Sequence, residues 1–101
     1  MQLNQIQEKI VTISDKYARV HEINRTDDRY LLKLQEEMGE LTQSYISFIG
    51  HGRNRWKSPE ELKKSFAHEL WDVMWHLLLL ANHFDIDIDK ALEEKWYKYL
   101  D

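Results

Sequence analysis

The sequence predicts an all-α protein, a four-helix-bundle-like single domain over residues 1–101 completed by homo-oligomerisation. Three observations predict it. Apolar residues recur at alternating spacings of three and four along most of the chain, the signature of amphipathic helices. The 101 residues contain one proline and three glycines, too few turn formers for a many-stranded fold. The segment Val73–Ala81 is apolar on most sides, so both of its faces need cover, and a second copy supplies that cover most simply.

The first helix is written by Leu3, Ile6, Ile10, Ile13, Tyr17 and Val20, and ends near His21–Asn24. Polar Arg25–Asp28 holds the next start signal, with Thr26 or Asp27 as N-cap. The second stripe is Leu31, Leu34, Met38, Leu41, Tyr45 and Phe48, and Gly50 terminates it. Gly50–Lys57 (GHGRNRWK) reads as a basic loop. Ser58-Pro59-Glu60-Glu61 then supplies an N-cap serine, a proline at the first helical position and the glutamate that closes a capping box. This third helix should run from Pro59 to about His83. After a break at Phe84–Ile86, Asp85 or Asp87 caps a last helix with the stripe Ile88, Ala91, Leu92, Trp96 and Tyr99.

Composition narrows the function. The chain is 43% hydrophobic and 32% charged, with a net charge of -4, which argues against nucleic acid as the main partner. The longest apolar run, Leu77–Ala81, is far below the ~20 residues that span a bilayer, so no membrane partner is expected. Met1–Ile10 lacks the apolar centre of a signal peptide. There is no cysteine, which removes thiolate metal sites and fits a reducing, cytoplasmic setting.

The chemistry lies in four acids. Glu37 and Glu40 are three apart, as are Glu69 and Asp72, and on a helix that spacing lets both side chains address one point. Glu69 and Asp72 sit among Leu70, Trp71, Val73, Met74 and Trp75, where an uncompensated carboxylate is costly. If the second and third helices pack antiparallel, the pairs face each other and need a cation to stay ionised. Oxygen-rich sites suit Mg²⁺, with Mn²⁺ as a second choice, and Mg²⁺ shares its coordination with substrate phosphates. The plain alternative for the first pair is a solvated face, in which Lys33 pairs with Glu37 at i, i+4 for about 0.2–0.5 kcal/mol. For Glu69 and Asp72 it is a salt bridge to Arg or Lys. A di-iron bundle needs Glu-x-x-His on two helices, and no histidine here follows a glutamate by three. His76 reads as a supporting or core histidine rather than a ligand.

Lys33-Leu-Gln-Glu36-Glu37-Met-Gly-Glu40-Leu41 resembles the K-x-x-E-E-x-x-E segment of the MazG-like nucleotide pyrophosphohydrolases, and His68-Glu69-Leu-Trp-Asp72-Val73 resembles their following E-x-x-D. The 28 residues Leu41–His68 form the spacer, and Phe84–Lys95 is similar to the family's last helix. The resemblance spans about Tyr30 to Lys95. Its relatives include dimeric dUTPases and phosphoribosyl-ATP pyrophosphohydrolases. It implies an all-α homodimer or dimer of dimers that hydrolyses a nucleoside triphosphate to the monophosphate and pyrophosphate with Mg²⁺, as in nucleotide-pool house-cleaning. Glu37, Glu40, Glu69 and Asp72 would be the metal ligands. Glu36 would support them or act as the base that prepares water, and Lys33 would help bind phosphate. Where many members carry Asn after the last-helix lysine, this sequence has Trp96–Asp101, so Lys95 and Lys98 both stand for the phosphate role. Trp56, beside Arg53 and Arg55 in the basic loop, is a candidate base-stacking surface, as are Trp71 and Trp75, for which core or interface packing is the better reading. Two alternatives stand: a non-catalytic helical dimerisation or regulatory module, and a narrow-specificity relative such as a dUTPase or phosphoribosyl-ATP pyrophosphohydrolase.

Overall fold

The computed structural model describes residues 2–51 and 56–101, and these contain helices and no strand. The elements are α1 (Leu3–Val20), α2 (Asp27–Phe48), α3 (Pro59–His83), α4 (Ile88–Lys95) and a short 3₁₀ turn at Tyr97–Tyr99. Arg53 and Arg55 of the expected basic loop lie outside the described residues. No helix is long and apolar enough to cross a membrane among the described residues.

Local chemistry explains where the helices begin. The Ser58 box is complete: Glu61 N–H donates to Ser58 Oγ and Ser58 N–H to Glu61 Oε1, both at 3.2 Å. Those bonds to Ser58 hold the exposed Glu61 carboxyl below its ordinary range. Asp87 caps α4 by accepting from Lys90 N–H at 3.0 Å. Thr26 is the N-cap residue of α2, yet its side chain makes no capping bond.

The ends of α1, α2 and α3 share one device. Ile23 N–H reaches Ala18 C=O, His51 N–H reaches Ile46 C=O, and Ile86 N–H reaches Ala81 C=O, each at 2.9–3.0 Å. The residue before each of these donors is left-handed: Glu22 at φ 53°, Gly50 at φ 87° and Asp85 at φ 55°. This is the Schellman closure, which satisfies the last carbonyls of a helix. The expected terminator Gly50 takes this role, and Glu22 and Asp85 adopt the same conformation despite their side chains.

The α2 and α3 helices pack antiparallel along their length. At one end His83 Nε2 meets Asp27 Oδ1 at 2.6 Å and the His83 ring stacks on Tyr30, centroids 4.1 Å apart. At the other end Phe66 lies between Tyr45 and Phe48, at 5.8 and 5.3 Å. On its other flank α3 receives α1 through a small apolar centre of Ile10, Leu78 and Leu79, with Ile6, Trp75 and Ile88 packed around it. Gln7 Nε2 donates to the Leu78 carbonyl across that seam at 3.0 Å. Arg25 ties the α1–α2 turn back to α1, pairing with Asp15 at 2.9 Å and donating to Ser14 Oγ at 3.3 Å.

The fourth helix does not close a bundle within the protomer. Only Ile88 of α4 joins the apolar centre, and the stripe residues Leu92, Trp96 and Tyr99 are exposed. Much of the α1 and α2 stripes is likewise uncovered, Ile13, Tyr17, Val20 and Leu31 being at least half exposed. The radius of gyration, 16.3 Å, exceeds the about 13 Å of a globular domain of this length.

Candidate metal and nucleotide site

Glu37 and Glu40 reach the α2–α3 seam from one side, and Glu69 and Asp72 from the other. One carboxylate oxygen each from Glu37, Glu40 and Glu69 lies within 4.8 Å of the other two. Asp72 stands outside that triangle, but its charge acts on both Glu69 and Glu37. The helical i, i+3 spacing and the antiparallel packing thus bring three of the sequence-predicted acids into one group, with the Asp72 charge close by.

Their electrostatics are those of a crowded anion site. The Glu37 side chain is 12% exposed. Burial, a hydrogen bond with Glu40 and the charges of Glu40, Asp72 and Glu69 push its carboxyl from 4.5 up to about 7. Glu69 is raised by burial first, then by Asp72 and Glu40. Glu37 Oε2 and Glu69 Oε2 are both buried with no hydrogen-bond partner. Two orphaned carboxylate oxygens facing further carboxylates would carry an uncompensated desolvation cost. A hard divalent cation meets that need, and the donor set, oxygen throughout, suits Mg²⁺ or Mn²⁺.

The neighbouring groups are placed as follows. Lys33 donates to Glu36 Oε2 at 3.0 Å, so its partner is the i+3 glutamate rather than Glu37. His76 Nε2 is 3.8 Å from Glu37 Oε1. Burial and the nearby Lys33 charge hold the His76 imidazole below its ordinary range. Lys95 Nζ lies over the Trp96 ring at 5.5 Å and Lys98 Nζ over Tyr99 at 5.3 Å, and neither is among the charges that set Glu37 or Glu69. Trp56 is 99% exposed. Trp71 is half exposed, and Trp75 packs on the apolar centre.

Beside the acids, α1, α2 and α3 enclose a cavity of about 380 Å³ that includes Lys33 and His76 in its wall. Sequence reasoning missed it. A signal existed: Arg25, Arg29 and Lys33 recur every four residues, a basic row that leads along one helix face into the acid motif.

The sequence profile of the phosphoribosyl-ATP pyrophosphohydrolase family matches residues 4–95. The chain belongs to that family. Both acid pairs, Lys33, Lys95 and all but the start of α1 fall inside the span matched by the phosphoribosyl-ATP pyrophosphohydrolase profile. Membership agrees with the resemblance to the MazG-like group. The chain is also 32% identical over 69 residues to "Uncharacterized protein YpjD" of Bacillus subtilis (strain 168), a match covering 68% of this chain and 60% of that protein. The chain thus spans less than two thirds of that relative's length. No solved structure matches it.

Proposed function

We propose that this protein hydrolyses a nucleoside triphosphate to the monophosphate and pyrophosphate, with Mg²⁺ or Mn²⁺ as its cofactor. The observation that carries the reading is the pair of buried, partnerless oxygens on Glu37 and Glu69 within the Glu37–Glu40–Glu69 cluster, with the Asp72 charge beside it. Family membership supplies the reaction class.

Glu37, Glu40, Glu69 and Asp72 would hold the cation. A divalent cation there supplies the positive charge that phosphate oxygens require and acidifies the attacking water. The protein's own groups do the rest. Glu36 accepts the proton from water, whose oxygen bonds to the α-phosphorus as the bond to the bridging oxygen breaks and pyrophosphate leaves. Lys33, already beside Glu36, offsets negative charge on the phosphates. Lys95 and Lys98 have the same role once α4 is brought to a site. Trp56, fully exposed, offers a stacking surface.

The reading includes a homodimer or a pair of dimers. Ile13, Tyr17, Val20, Leu92, Trp96 and Tyr99 are exposed in the protomer, apolar stripe residues that a second copy would cover. The same surfaces favour the second reading, a non-catalytic helical dimerisation module that keeps its acids without metal.

Pyrophosphate release from a panel of ribo- and deoxyribonucleoside triphosphates, with dUTP and phosphoribosyl-ATP included, tests the proposal. Release should require Mg²⁺ or Mn²⁺ and vanish in Glu69→Gln. If no member of the panel yields pyrophosphate and Mg²⁺ with nucleotide gives no thermal stabilisation, the dimerisation module stands instead.

A further inference from the structure

Resting on the nucleotide reading above, we infer that the cavity between α1, α2 and α3 holds the substrate's base, and that Arg29 selects bases presenting oxo groups over their amino counterparts. The argument starts from position. The cavity shares His76 and Lys33 with the acid cluster, His76 being 3.8 Å from Glu37 and Lys33 one helical turn before it. A nucleotide whose phosphates reach the acids therefore has its base within reach of this cavity. Its volume, about 380 Å³, falls in the range of pockets that take small organic ligands.

The lining decides what kind of group enters. Ile13, Ile23 and Leu79 give apolar walls, and Tyr17, Tyr30 and Trp75 add aromatic surface, so the cavity suits a flat ring better than a bare phosphate. Three cations also line it, but two are already matched: Arg25 by Asp15 at 2.9 Å and Lys33 by Glu36 at 3.0 Å. Arg29 has no hydrogen-bond or ion-pair partner for its side chain among the described residues. Its guanidinium only donates, and two N–H groups of its fork can converge on the two lone pairs of a single oxo oxygen. No carboxylate or amide side chain lines the cavity to receive an exocyclic amino group. An oxo group satisfies Arg29, whereas an amino group in its place leaves two donors facing each other, and such mismatches discriminate strongly.

Two substrate pairs isolate that edge, because UTP differs from CTP, and ITP from ATP, in exchanging an oxo for an amino group while sugar and phosphates stay the same. Relative kcat/KM for each pair, in ribo and deoxyribo form, should favour the oxo member by about tenfold or more in the wild type. Arg29→Leu should bring both ratios near one, and Arg29→Lys should retain part of the preference, with helicity unchanged in both. Equal rates within each pair in the wild type overturn the inference. So does an Arg29→Leu variant that slows all substrates by one factor, because Arg29 would then grip phosphate. If no triphosphate is hydrolysed, the proposed reaction fails by itself. The base preference is then read from thermal stabilisation by UMP against CMP and IMP against AMP, where equal shifts overturn it.

Discussion

His76 Nε2 lies 3.8 Å from Glu37 Oε1, and the same imidazole forms part of the wall of the neighbouring cavity. One side chain thus separates a cluster of carboxylates from an aromatic, donor-lined space. The geometry divides the site into an anionic half on the α2–α3 seam and a cationic half toward α1.

Glu69→Gln removes a charge from the crowded seam while keeping the shape of the side chain. Pyrophosphate release should vanish, because the cation needs this charged ligand. The metal-free variant should melt no lower than the wild type, since the lost carboxylate was repelled by Asp72 and Glu40. Loss of activity together with a large drop in melting temperature would instead place Glu69 in a structural salt bridge.

The pH dependence has a defined sign. Glu37 is raised from 4.5 to about 7, so the folded chain binds this proton more tightly than the unfolded chain. Its effect on stability is neutral below 4.5 and grows unfavourable as pH rises to about 7, where it levels. Glu69, also raised, acts in the same direction. Cation affinity runs the opposite way, because the metal needs the deprotonated carboxylate. Melting curves of chelator-treated protein from pH 4 to 8 should show a falling contribution from Glu37, measured as the difference from Glu37→Gln. The stabilisation by Mg²⁺ should increase across that window. A wild-type and variant difference that does not change with pH contradicts this account.

Two glycines should respond oppositely to alanine. Gly50 closes α2 at φ 87°, and a Cβ there meets no neighbour, so only backbone strain opposes it. Gly50→Ala should cost about 1 kcal/mol. Gly39 is interior to α2 and a Cβ there also meets nothing within 4 Å. Gly39→Ala should stabilise by roughly 0.5–1 kcal/mol. Urea titrations of both variants check the pair.

The uncovered helix faces predict association. Sedimentation at micromolar concentration should give a species larger than the protomer, with a melting temperature that rises with concentration. Trp96→Glu, on a 56% exposed position, should shift the equilibrium toward the protomer. A wild-type chain that sediments as a protomer, with a concentration-independent melting temperature, removes the proposed dimer.

Helix limits were legible wherever local chemistry sets them. Pro59–His83 follows from the Ser58 box at one end and the Phe84–Ile86 break at the other, and the observed α3 has those bounds. The acid cluster was legible too, since i, i+3 spacing and antiparallel packing leave the four side chains few other places to go. Side-chain partners were less so. Thr26 makes no side-chain cap and neighbouring Asp27 bonds His83, because that contact depends on α3 passing nearby, 56 residues later in sequence. The apolar stripes mark which faces avoid water but not what covers them, so Ile13 and Leu92, both stripe residues, stand exposed in the protomer. The cavity was missed because its wall comes from three helices, and no local window contains Tyr17, Arg29 and Trp75 together.

The α2–α3 pair is fastened at its two ends, by Asp27–His83–Tyr30 and by Tyr45–Phe66–Phe48. The mutually repelling acids sit between those fastenings, on α3 nearer to Phe66 than to His83. Such a beam, clamped at both ends and loaded between them, bows before it parts. Without cation, amide exchange should quicken around residues 37–41 and 69–73 while the clamped ends stay protected, and adding Mg²⁺ should straighten the span. The fastenings therefore set the gauge between the acid pairs: loosening either one, as in His83→Ala, should weaken cation binding without touching a carboxylate.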